Sequence, residues 1–226
     1  MECQDLPPLE LIDIRGYSFD KFVAFVFDRQ VPVDSGKTRS STWYWGIEVD
    51  FDVMSVAEYY IRLFRQPEFL RQSYSDAQLD QGFWAIQSAN LDCSTYRIMW
   101  DTEWAFGIRA ETVRSMYDLF SRLFMHAPLE TAVIMWWDSL CYDWHCGNRK
   151  RENGGEDRSM QDVMFETLGR ILSLNSEHCQ FAALHGLGHL HHPATGKLVS
   201  EFLATNSTLN EDLKDYARAA SRFAVL

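Results

Sequence analysis

Five of the seven histidines in this 226-residue chain fall between positions 178 and 192. On a helix turning ~100° per residue, His178, His185, His189 and His192 stand at roughly 0, −20, +20 and −40°, a single stripe. Ala183, Leu187 and Leu190 fall near 140, 180 and 120°, on the opposite face. His185 and His189, at i and i+4 in HGLGH, have the spacing that two imidazole ligands of one zinc ion need. The string lacks a Glu after its first His, the residue that would act as general base. His178 lies about 10.5 Å behind His185 along the axis, far outside a ~2 Å bond. His192 precedes Pro193, which disfavours helical backbone there. Further ligands would have to come from another segment, with Cys141, Cys146 and scattered acids as candidates. The expectation is a polar face packed against a neighbouring helix, with no metal and no cofactor. The alternative is a metal-dependent enzyme using the His178, His185 and His189 stripe.

A second constellation, Cys141, Asp143, His145 and Cys146, lies in CYDWHCGN. Cys141 and His145 are at i and i+4, so a thiolate and an imidazole would share a helix face. A helix C-terminus raises a thiol pKa, which is wrong for a nucleophile. With Trp136, Trp137, Tyr142 and Trp144 around it, the segment reads as bulky core.

The third is acidic. Trp43, Trp45, Ile47, Val49, Phe51 and Val53 alternate with polar positions that include Glu48, Asp50 and Asp52. The alternation predicts an extended strand over 42–53 with one wet face, and no pairing strand is evident nearby. The three carboxylates span ~13 Å, too far for one ion. Trp43, Trp45, Glu48, Asp50 and Asp52 are therefore the candidate residues for binding a partner. The sequence holds no glycine-rich phosphate loop, GxSxG elbow, HExxH or basic–aromatic patch.

Helical periodicity supplies the elements that must carry these groups. Phe19, Phe22, Val23, Val26 and Phe27 predict a helix behind Ser18, and Ser75 caps another through Leu79, Phe83 and Ile86. Helices are expected over 54–64, 112–125 and from Pro128 to about 144. The charged run 147–158 reads as a solvated loop, followed by helices over 160–174, 176–191, 193–204 and 209–223. The fold class is all-α, with about eight or nine helices and one extended or short ribbon segment near 42–53.

The stretch 177–223 resembles the HEAT-like repeats of α-solenoids. The residues that carry the likeness are Ala182, Ala183, Leu184, Gly186, Leu187, Gly188 and Leu190, then Pro193, Leu198, Phe202 and Leu203, then Tyr216, Ala217, Ala219 and Ala220. The resemblance implies close helix pairs and a concave binding surface. The charged run 147–158 is the candidate boundary between an aromatic-rich helical region, 1–146, and a HEAT-like region, 159–226, packed as one unit.

Charge and composition narrow the function. There are 21 basic and 32 acidic residues, a net charge of −11, and 46% of the chain is hydrophobic. That excludes a disordered chain and disfavours nucleic-acid or anionic-membrane binding. The N-terminus lacks a basic and apolar leader, no apolar run reaches ~18 residues, and five scattered cysteines include no CxxC, so a cytoplasmic location with reduced thiols is expected. The function expected is a non-enzymatic helical protein-binding module, an adaptor or an inhibitor of the immunity type, for a basic partner, with a purely structural helical protein as an alternative beside the metal enzyme.

Overall fold

The computed structural model describes residues 9–34, 37–38, 42–127, 129–206 and 208–225. The chain is mostly helical, with two small two-stranded sheets. In order it forms β1 (Glu10–Asp13), α1 (Phe19–Phe27), β2 (Val33–Asp34), β3 (Lys37–Thr38), β4 (Ile47–Asp50), α2 (Val53–Arg65), α3 (Leu70–Ser73), α4 (Asp76–Gln87), α5 (Thr95–Trp100) and α6 (Phe106–Leu119). There follow α7 (Glu130–Ile134), α8 (Trp136–His145), α9 (Gly155–Leu172), α10 (Glu177–Leu190), α11 (Thr195–Thr205) and α12 (Glu211–Ala220). No helix among the described residues is long and apolar enough to cross a membrane.

Local signals set the helix starts. Ser18 accepts from the Lys21 amide, and Ser75 forms a reciprocal capping box with Gln78. Such caps satisfy amides that have no partner inside the helix. Beyond α6 the backbone widens into a π turn over Phe120–Phe124. Phe120 and Phe124 there join Phe64 and Phe83 around the indole of Trp136.

The alternation over 42–53 gives a shorter strand than expected. Trp43–Trp45 winds into a 3₁₀ turn, and Asp52 stops the strand by capping α2. β4 does find a partner, the parallel strand β1, with Asp13 opposite Asp50. Two facing carboxylates repel, and Arg15 bridges both, at 2.7 and 3.1 Å. The run 147–158 is also more ordered than a solvated loop, because Arg149 pairs with Asp143 and Asp157 while α9 starts at Gly155.

α10 occupies the centre. It packs on α7 and α8 from the first part of the chain and on α9 and α12 from the last. In a solenoid each repeat touches only its neighbours, whereas this helix is enclosed from both directions along the chain. On its histidine side His185 and His189 are buried along with the apolar residues of the opposite side.

Candidate metal centre

Two glycines let α10 sit this deep. A Cβ on Gly186 would lie 2.5 Å from Trp137 Cβ on α8 and 2.8 Å from Leu168 Cδ2 on α9. A Cβ on Gly188 would lie 2.4 Å from Val225 Cγ2. Both glycines interleave with the histidines in HGLGH, so the close approach of α8 and the aim of the imidazoles come from one string. Ser176 caps the start of α10, and His191, in the left-handed region at φ 55°, ends it. That turn takes His192 off the stripe. Its Nε2 lies 3.0 Å from Asp162 Oδ1 and its ring stacks on Phe165. His178 is half-buried near the other end of α10 and outside the cluster formed by His185 and His189.

What α8 brings against the pair is Asp138. His185 Nε2 and His189 Nε2 are 3.1 Å apart, and Asp138 Oδ1 lies 3.7 and 3.3 Å from them. An ion with ligand bonds of ~2.1 Å sets its ligand atoms about 3.0 Å apart in octahedral and about 3.4 Å apart in tetrahedral geometry. Two sides of the triangle fall in that range, and the third, His185 to Asp138, is 0.3 Å longer than the tetrahedral spacing. Both outer nitrogens are engaged: His185 Nδ1 lies 2.6 Å from Tyr216 Oη on α12, and His189 Nδ1 lies 2.9 Å from His145 Nδ1 at the end of α8. With the Nδ1 atoms engaged outward, both Nε2 atoms and a carboxylate oxygen face one another. Such outer partners orient the ligating imidazoles of metal sites.

The electrostatics agree with the geometry. Hydrogen bonding to His185 holds the Asp138 carboxyl below its usual range, and the nearby imidazoles add to this. Burial, and then the neighbouring His185, push His189 down to about 4, so its ring is neutral at pH 7. A neutral imidazole and an ionised carboxylate are the protonation states a metal requires, and an ion at this point would replace the proton that the two Nε2 atoms share. Burial raises Tyr216 to about 12, so it stays a phenol.

The other sequence candidates take separate places. His145 turns to His189 rather than to Cys141, whose buried thiol has its pKa pushed well up. Asp143 binds Tyr96 and Arg149. Trp43 is half-buried, edge-on to Phe25 and under the Arg29 guanidinium, whereas Trp45 is 61% exposed. Glu48 is exposed, Asp50 pairs with Arg15, and Asp52 accepts from the Ser55 amide at 2.8 Å. Sequence reasoning missed Asp138 and Tyr216. The signal for Asp138 was present, since it is the only charged residue between 131 and 142. Tyr216 carried none.

Comparison with protein-family models, curated proteins and solved structures finds no match for this chain.

Proposed function

We propose that this protein is a metal-dependent enzyme whose centre is one divalent transition-metal ion held by Asp138, His185 and His189. The observation that carries the reading is the convergence of three ligand atoms at 3.1, 3.3 and 3.7 Å with both outer imidazole nitrogens engaged. Two imidazoles and one carboxylate suit zinc or iron(II), and three protein ligands leave positions for water or substrate, as catalytic sites do. The four described cysteines are unpaired, which supports a reducing, cytoplasmic setting.

The test is metal analysis of untagged protein after equilibration with Zn²⁺ and dialysis. One ion per chain is expected, with a lower melting temperature after chelation. His189→Ala and the near-isosteric Asp138→Asn should each abolish retention. A protein that keeps no ion, or keeps it equally well in both variants, overturns the reading.

A second reading is the helical module for a basic protein. It is supported by Leu11, 66% exposed and opposite the exposed Glu48 in the sheet, and by Trp45, 61% exposed, on an acidic chain. Its test is binding to a polylysine probe, which should weaken with added salt and in Glu48→Gln. Unchanged binding in both arms counts against it.

A further inference from the structure

A cleft of about 560 Å³ opens beside the triad, walled by Tyr44, Trp45, Trp84, Tyr96 and Tyr142 and reaching Asp138. We propose that it binds a small organic molecule that lays a flat ring against these aromatic walls and presents a Lewis-basic oxygen to the metal centre. This rests on the metal reading above and names the class of substrate for that site.

Three observations point to this ligand. The volume lies within the ~300–1,000 Å³ of small-molecule sites. The walls carry open aromatic surface: Trp45 is 61% and Tyr142 52% exposed, while Trp84 and Tyr96 stand half-buried on the core behind them. A flat apolar face is what such rings accept. The third is the route to the centre. The His185 and His189 side chains are only 4% and 5% exposed, whereas Asp138 is 34% exposed and lines the cleft. The triad therefore meets this cleft through Asp138.

The charges in the cleft narrow the class further. Its lining includes Asp138 and Asp143 and no Lys or Arg. A phosphate-bearing ligand would find no cationic side chain there. Asp143 is already committed, accepting from Tyr96 Oη at 3.2 Å and from Arg149 Nε at 3.1 Å. Those bonds brace one wall; the other polar lining, Ser88, Asn90, Ser139 and Asn148, is uncharged, which leaves Asp138 as the charged anchor. A neutral ring carrying a carbonyl, hydroxyl or hydroxamate oxygen matches both halves of the cleft.

The experiment compares two metal-binding probes on the zinc-equilibrated full chain, benzohydroxamate and acetohydroxamate, by calorimetry. They share the chelating group and differ in the ring. Benzohydroxamate is expected to bind about tenfold more tightly, an excess of ~1.4 kcal/mol. Trp45→Ala and Tyr142→Ala should each reduce that ratio while leaving zinc retention and acetohydroxamate affinity unchanged. Both side chains are exposed, so the variants should fold as the parent does. If zinc is retained but the ratio is near one, or survives both substitutions, the aromatic cleft is not the binding site and the metal reading stands. If zinc is not retained, the metal reading falls and this inference falls with it.

Discussion

Glu48, Asp50 and Asp52 recur every second residue along an extended segment, and His185 and His189 recur every turn of a helix. Each spacing places its groups on one face of its own element. The acids then part company: Glu48 meets solvent, Asp50 pairs with Arg15, and Asp52 caps α2. The histidines stay together because α8 and α12 bring Asp138, His145 and Tyr216 against them. Regular spacing on one element makes half of a site, and the facing elements decide whether the other half exists. At the sheet edge the acids have only local backbone and one arginine to meet. At α10 the missing β-carbon of Gly186 admits α8 and α9, and that of Gly188 admits Val225 beyond α12.

The strongest way to break the histidine side is Gly186→Ala. Its new Cβ would collide with Trp137 Cβ, close to the backbone of α8, where no flexible chain end can swing away. A loss of about 3 kcal/mol is expected in denaturant unfolding, at the upper end for overpacking. Zinc retention should fall with it. Unchanged stability would mean that α8 and α10 do not depend on this close approach.

Acid should separate the two regions by pH window. In metal-free protein His189 has a folded pKa of about 4 against 6.5 in the open chain, so the unfolded state takes up the proton first. Its contribution is present above pH 6.5 and is lost as the pH falls from 6.5 towards 4. At the sheet edge Asp13 is held at about 2 by Arg15, against 3.8 unperturbed. Its contribution survives the first window and is lost only between 3.8 and 2. Melting temperatures across pH 7 to 2 check both, and a first decline that is unchanged in His189→Gln would refute the assignment to the histidine centre.

Tyr216→Phe tests the outer partner. It keeps the ring stacked on Phe181 and removes the oxygen 2.6 Å from His185 Nδ1. Zinc affinity should fall by about 10–100-fold, the usual range for such partners, with little change in folding. The smallest effects belong to the acids. Asp52→Ala should lower the melting temperature through loss of the α2 cap, and Glu48→Gln should change it less. Equal costs at the two positions would mean that the cap does not set Asp52 apart.

Much of the architecture was legible because it is written locally. Ser18 and Ser75 announce helix starts that the structure keeps, and the i, i+4 pair at His185 and His189 is set by helix geometry alone. The strand over 42–53 was over-read because alternation continued through residues that a tight turn and a cap claimed first. Its partner β1 lies 37 positions earlier in register, beyond the reach of any pattern in the segment itself. Asp138 was hidden for the same reason, since it meets His189 only once α8 packs on α10. Its isolation in an apolar run was the one trace it left.

The enclosure of α10 from both directions also sets a timetable for synthesis. Asp138 precedes Tyr216 by 78 positions, and Val225, whose side chain fills the space above Gly188, comes later still. At about 5–20 residues per second, roughly 4–16 s separate the translation of the carboxylate from that of the phenol that orients His185. The three candidate ligands, Asp138, His185 and His189, are therefore all translated before the phenol that orients His185 and before the residue that fills the space above Gly188.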